Sequence, residues 1–425
     1  MSDDPSVTTR GENVSTVGSG VIVASRRRWV IAVVLMLLVI TGYFDRIAVA
    51  VLFSNSDFQN AMGTGFDPAR LGMLMTAFFI TYGISSLLLS FTGDRFGPRN
   101  MLTAASVIWG ALMLTMGNAR SYASMLISRI LLGMFEGPQF SWILKVVTGW
   151  FPPKEQGRAN SIWLLGSPLG SAIGFPLIIY LVAGFGWRNA FYVLSFLSIA
   201  IMAPAIWFAV KAGPAARAAA STEMSARRTI GAIFRDSRLF LRSYDFWLLT
   251  LFDCGELIYL WGLNSWLPTY LQRARHLDIQ HLGIYSSLPF VFLFFGEVVS
   301  GILSDRIERK TPLMFIGLAG AAILLYCATL ADSSTIAALL IALSSGFFGL
   351  CVPATYVLTI KIVPQAVASS GVGVMNGIAN TVGAFAPFAM GLVIASTGSI
   401  DSGLYVLVCG SLVCSCAIIP MLRRH

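Results

Sequence analysis

Asp45 and Arg46 stand side by side in TGYFDRIAVAV, residues 41–51, inside a long apolar run. A charge in a bilayer core costs at least ~2.5 kcal/mol on the mildest scale, so neither can face lipid and both must face protein or a wet cavity. A second such stretch is SRILLGMFEGPQF, residues 128–140, with Arg129 and Glu136 about two helical turns apart and hence on one face. If both runs cross a membrane, the ~1.5 Å rise per residue puts Asp45 ~25 Å along the first run from Arg28 and Arg129 ~10 Å into the other. Asp45, Arg46 and Arg129 then share a level, and Glu136 lies nearer the midplane. Guanidinium forks recognise carboxylates and similar oxyanions. Two carboxylates in unlike surroundings, one beside guanidiniums and one in an apolar wall, suit a relay that loads a proton at one and releases it at the other. The alternative is a buried ion-pair network that only fixes helix packing, although such pairs are weak stabilisers compared with apolar contacts.

The second half of the chain has its own intramembrane acids. Asp253 and Glu256 lie three residues apart in LFDCGELIYLWGLNSWLPTYL, on one helix face, and Glu297 lies in LFFGEVVSGI. They could read a hydroxyl or an amine, bind a cation, or give a second proton site. Glu297 stands about two turns from Asp305 and could instead join a charge cluster there. Asn264 and Trp266, followed by Pro268, read as cavity or gate residues.

The elements that position these groups follow from composition. The chain has 425 residues, 56% hydrophobic and 12% charged. A soluble chain carries about 25% charged residues, so this is an all-α integral membrane protein in contact with a lipid bilayer. The net charge of +9 does not indicate nucleic acid, because the basic residues cluster in short connectors between apolar runs. The six cysteines sit in or at apolar runs with no paired spacing and read as small buried hydrophobes. There is no P-loop, no dinucleotide fingerprint and no metal-ligand spacing, and the histidines lie in loops or at the end, so no enzyme, metal or cofactor is expected.

A span needs ~20 apolar residues. Runs at 29–52, 69–91, 101–117, 122–147, 159–183 and 187–210 are followed by a polar break and then by runs at 245–271, 282–303, 312–331, 335–360, 370–396 and 402–422. This predicts twelve transmembrane helices in two pseudo-symmetric six-helix bundles, 26–210 and 245–425. A polar, Gly/Ser-rich N-terminus, 1–25, is expected to be disordered, and 211–244 forms the central loop. Arg26 to Arg28, Arg95, Arg99, Lys154, Arg158, the central loop, Arg306, Arg309, Lys310 and Arg423 all fall on alternate connectors, which predicts cytoplasmic termini and a cytoplasmic central loop. Two echoes repeat at nearly one offset: SFTGDRFGPRN (90–100) with GILSDRIERKT (301–311), and Pro152 with Pro364. The halves therefore read as a duplicated unit.

The repeated Asp-Arg loops resemble the signature of the major facilitator superfamily. The second keeps Gly301, Asp305, Arg306, Arg309 and Lys310, and the first keeps Asp94, Arg95, Gly97 and Arg99 with Ser90 for the leading glycine. Such charges can latch the cytoplasmic face, or merely set topology. Within that superfamily YFDRIAVAV, SRILLGMFEGPQF and GWFPPKEQGRA resemble the anion:cation symporter family, which includes bacterial sugar-acid carriers. The resemblance implies a monomer in the plasma membrane, in bacteria the inner membrane, that takes up a small organic anion with protons by alternating access. It also implies that Asp45 and Glu136 couple the proton, that Arg46 contacts the substrate and that Arg129 is the ion-pair partner of Asp45. By matching, Tyr43, Tyr82, Tyr356 and Asn376 line the pocket, the alternative being that they serve helix packing, and Ser167 stands where sugar-acid carriers have a longer polar residue. The span-7 acids depart from that pattern, and a proton-coupled exporter of amphipathic or cationic compounds is the alternative they raise.

Overall fold

The computed structural model describes residues 27–89, 92–210, 241–307, 309–363 and 368–422. The expected disordered N-terminus and nearly all of the central loop lie outside these residues. Among them every regular element is helical, as a chain with no water to satisfy its backbone requires. Eleven helices are long and apolar enough to span a membrane. They are spans 1 (Arg27–Leu52), 2 (Pro68–Leu89), 3 (Pro98–Gly117), 5 (Lys154–Phe185), 6 (Trp187–Ala209), 7 (Tyr244–Ala274), 8 (Ile279–Leu303), 9 (Thr311–Leu330), 10 (Ser334–Thr359), 11 (Gly371–Thr397) and 12 (Ile400–Met421).

Span 4, expected as one helix, is two: Tyr122–Glu136 and Gln139–Trp150. Gly137 and Pro138 separate them while keeping right-handed helical backbone angles. Pro138 has no N–H to give the preceding turn and its ring crowds that turn's carbonyl, so the ladder is interrupted there. The break leaves Glu136 and Gln139 flanking it in mid-span. Span 11 is likewise divided, into Ala368–Gly383 and Ala386–Thr397, with Pro387 in the first turn of its second piece. Serine side chains set the starts of spans 4, 7 and 10: Ser121, Ser243 and Ser333 each accept a backbone N–H of the first turn.

Small residues bring the functional helices together. Gly166, Gly170 and Gly174 of span 5 recur every fourth residue and meet Val39, Tyr43 and Ile47 of span 1 in turn. A Cβ on Gly170 would lie 2.9 Å from the Tyr43 Cβ and 3.0 Å from the Ile40 Cα. This spacing admits close helix approach and sets the register of span 1. On span 4, Gly133 and Gly137 press against Phe78, Tyr82 and Ser85 of span 2, and the Ser85 hydroxyl donates to the Gly133 carbonyl at 3.1 Å.

The two halves meet chiefly away from the end of the bundle that carries the central connection, here the terminal side. Phe53 of span 1 meets Trp266 of span 7 edge-on at 5.1 Å, and Ser54 hydrogen-bonds Gln272. Phe175 of span 5 stacks on Phe290 of span 8 at 5.3 Å. The Phe388 N–H of span 11 donates to Thr76 Oγ1 of span 2 at 3.2 Å. The molecule is closed on the far side.

Filling the span 1–span 5 seam should be felt. Gly170→Leu is expected to lower stability by about 1–3 kcal/mol through overpacking, read as a lower unfolding midpoint in detergent. Gly184→Leu, where a Cβ meets nothing within 4 Å, should leave the midpoint unchanged.

Candidate functional site

Arg46 is 5% exposed and Glu136 is 1% exposed, and the two form an ion pair. Arg46 Nη2 donates to Glu136 Oε1 at 2.6 Å and Nε to the same oxygen at 3.0 Å. The guanidinium carbon lies 4.7 Å from the Tyr43 ring centroid, 4.8 Å from Tyr82, 5.6 Å from Phe78 and 5.7 Å from Trp261. Each such ring adds about 0.5–2 kcal/mol of attraction for the cation. Trp261 belongs to the other half and stacks on Phe79 of span 2 at 4.3 Å, so the cage closes only when the halves meet. A cleft lined by Tyr43, Arg46, Met75, Phe79, Trp261 and Asn264 is too narrow to admit a water-sized sphere.

The pairing differs from the expected one. Glu136 was expected as a lone acid below an Asp45–Arg129 pair. Instead Arg46 takes Glu136, because a helical side chain points back toward its own N-terminus. Span 1 runs from the terminal side outward, so that direction carries the guanidinium down to the level of Glu136. Arg129, fully buried, gives its donors to main chain and a thioether: Nε to the Leu74 carbonyl at 3.3 Å, Nη1 to the Asp45 carbonyl at 3.5 Å and Nη2 to Met75 Sδ at 3.3 Å. Its guanidinium sits 4.3 Å from the Phe78 ring. Asp45, 2% exposed, joins no ion pair among the described residues. The second oxygen of Glu136 and the amide nitrogen of Gln139 are buried without a hydrogen-bond partner. Both side chains border Gly42, where a Cβ would come within 3.4 Å of Glu136 Oε1 and 3.6 Å of Gln139 Oε1.

A polar chain leads from the cage into the second half. Trp261 Nε1 donates to Asn380 Oδ1 at 3.3 Å, Asn380 Nδ2 to Asn376 Oδ1 at 2.6 Å, and Asn376 Nδ2 to the Tyr356 hydroxyl at 3.1 Å. The expected pocket residues Asn376 and Tyr356 thus join the cage through Trp261 and Asn380, which the sequence reading passed over, as it did Phe78 and Gln139. Aromatic residues are frequent in membrane helices and their ring directions are not encoded in spacing. Asn380 follows Asn376 by one turn, a repeat that could have drawn attention. Ser167 makes no hydrogen bond among the described residues and stands one position round the helix from the Gly166–Gly170 seam.

Asp253 and Glu256 are each 3% exposed and face span 10, where the Thr355 hydroxyl donates to Glu256 Oε1 at 2.8 Å. Glu297 is on span 8 and has no hydrogen bond or ion pair among the described residues. In the first Asp-Arg loop, Asp94 and Arg95 lie on a short helix, Thr92–Phe96, and Arg95 is exposed over Phe96. Arg99 donates to the Trp207 carbonyl at 2.9 Å and stacks on that ring at 3.8 Å, within its own half. Asp305 and Arg306 end the span-8 helix, and Arg306 and Arg309 are exposed. Among the described contacts the arginines of these loops do not reach the opposite half. On the far side, an open cavity of about 680 Å³ is lined by Ser54, Phe66, Gln272, Arg273, His276 and Ile394. The Phe53–Trp266 and Ser54–Gln272 contacts stand between it and Arg46.

A family model described as Major Facilitator Superfamily matches residues 35–387 and, in a second match, 257–424. The chain belongs to the Major Facilitator Superfamily. It is a multi-pass transporter of that superfamily and not an enzyme. The chain is 30% identical over 392 residues to the probable sulfoacetate transporter SauU of Cupriavidus necator, covering 88% of this chain and 89% of that protein. It is 26% identical over 406 residues to the hexuronate transporter of Bacillus subtilis, covering 90% and 92%. Among solved structures, a bacterial homologue of the human lysosomal transporter Spinster, inward-facing and occupied, superposes with a TM-score of 0.78 at 18% identity, covering 94% of this chain and 98% of that one. The D-xylose-proton symporter superposes with a TM-score of 0.71 at 15% identity, covering 91% and 96%. At those identities the superpositions establish the fold.

The ion pair can be tested apart from transport. Glu136→Leu strands a buried guanidinium and is expected to cost about 3–5 kcal/mol. Adding Arg46→Met in the same chain should recover most of that loss, and a double-mutant cycle of unfolding midpoints in detergent reads the difference.

Proposed function

We propose that this chain carries a small organic anion across the bacterial inner membrane together with protons, by alternating access. The observation that carries the reading is the Arg46–Glu136 pair, a buried guanidinium held by a carboxylate inside a ring of aromatic side chains. A guanidinium in that position is a receptor for a carboxylate or sulfonate. Glu136 occupies it in the structure. A proton on Glu136 removes the negative charge that competes for Arg46, and a substrate oxyanion can then take its place. Proton and anion thereby favour each other's binding, and the coupling is reciprocal. When both have left, Glu136 returns to Arg46 and the empty site is again neutralised. Asp45, beside Arg46 and at the level of Arg129, is the second proton-coupling carboxylate and exchanges with the far side. Tyr43, Tyr82, Tyr356 and Asn376 bound the substrate, and Trp261 closes over it from the other half.

The terminal side corresponds to the cytoplasm by the distribution of basic connectors. The state described above, closed on the far side, is then the one from which cargo is delivered inward. The names of the relatives, transporters of sulfoacetate and hexuronate, support a short anion with a carboxylate or sulfonate group.

The test is uptake into proteoliposomes, with labelled sulfoacetate and glucuronate as the probe anions. At least one is expected to accumulate under an imposed inward proton gradient and to stop when the gradient is collapsed. Glu136→Gln should keep exchange of internal for external anion while losing gradient-driven accumulation. Arg46→Ala should lose both. Full accumulation by Glu136→Gln, or uptake indifferent to the gradient, would overturn the reading.

A further inference from the structure

The two halves neutralise their buried acids differently. In the first half Asp45 and Glu136 share their surroundings with Arg46 and Arg129. In the second, Asp253 and Glu256 have no such company. The groups that face them are Thr355, Cys351 and Tyr356 of span 10, Cys254 of span 7 and, next to Cys254, Cys414 of span 12. Among the described residues no guanidinium, ammonium or imidazole is paired with either acid. The two side chains lie three residues apart on one face of the span-7 helix. Two ionised carboxylates offer only acceptors and repel each other, so a proton taken up by the pair supplies a donor and removes one charge. Glu256 gains a donor from another span, Thr355, but one Asp253 oxygen is buried with no hydrogen-bond partner. An acceptor left bare in an apolar interior is costly unless something occupies it for part of the working cycle.

We propose that Asp253 and Glu256 form a second proton-binding site, in the second half, that loads and empties during transport. This rests on the reading of the chain as a proton-coupled transporter. Thr355, which bonds Glu256, is followed by Tyr356, which is 40% exposed. Span 7 is also placed to respond to the cycle. Its Trp261 and Trp266 are contacts with the first half, so rocking of the halves moves the helix that carries the pair. A pair that binds a proton in one state and releases it in the other adds a proton to each turnover beyond those carried by Asp45 and Glu136.

Infrared pH-difference spectra of the purified full chain in lipid read protonated carboxyl groups through their carbonyl stretch and need no substrate. The wild type is expected to show such a band that disappears as pH is raised. Asp253→Asn with Glu256→Gln should remove a component of that band, and Glu136→Gln should leave that component in place. Should the double variant fail to fold, Asp253→Asn alone must shift the band, because Glu256 then loses its acidic neighbour. Titrating carbonyl intensity in the double variant equal to that of the wild type, or unmoved in the single one, overturns the proposal. So does a carbonyl band that persists at every pH, which would mark a permanently protonated structural pair, or the absence of any titrating band. These readings are independent of the uptake of Glu136→Gln and Arg46→Ala, so the coupling scheme and the second site fail separately.

Discussion

The constraint on which the first half depends is the burial of a guanidinium and a carboxylate in an apolar bundle. Taking either from water is expensive, and their attraction offsets that cost only when geometry is close and the surroundings supply further partners. Arg46 has both, with two short contacts to one carboxylate oxygen and aromatic faces around it. Nearby features serve that geometry. The glycines of span 5 let span 1 lie close enough to hold Arg46 in place, and those of span 4 bring Glu136 against span 2. The break at Gly137–Pro138 puts Glu136 at a helix end.

The pair also explains why the interior is asymmetric. Duplicated halves supply duplicated helices, yet among the described residues only the first half pairs a mid-span acid with a cation. The other contributes an aromatic wall, Trp261, and a chain of amides ending at Tyr356. Because Trp261 both closes over Arg46 and anchors that chain, the chemistry of the first half is physically joined to the packing of the second. Rocking of one half on the other must change the cage, and this is the link between binding and conformational change that alternating access requires.

Much of the architecture was legible in the chain. Spans are long apolar runs, and that signal is local, so the run boundaries and helix ends agree to within a few residues. The exceptions are physical ones. Pro138 and Pro387 interrupt ladders inside runs that are apolar throughout, and hydropathy does not register a missing N–H. The repeated Asp-Arg loops announced the superfamily, whereas their engagement could not be read, since it depends on which state the halves adopt. The charged residues of the site were found because each is expensive where it stands. Trp261, Phe78, Asn380 and Gln139 were not, because an aromatic or amide in a span is cheap enough to be ordinary.

What the sequence by itself determined was therefore the set of residues that cannot face lipid, the number of membrane crossings and the duplication that places them. Those are properties of single residues or of local periodicity, set by the free energy of transfer from water. Tertiary structure alone decided who pairs with whom. Asp45 and Arg129 lie at one depth, as the helical rise predicts, yet Arg46 belongs to Glu136. The choice depends on the direction a long side chain leaves its helix and on how closely glycines allow two helices to approach. In the same way Asp253 and Glu256 were visible as two acids on one face, but only the folded chain showed that no cation among the described residues is paired with them.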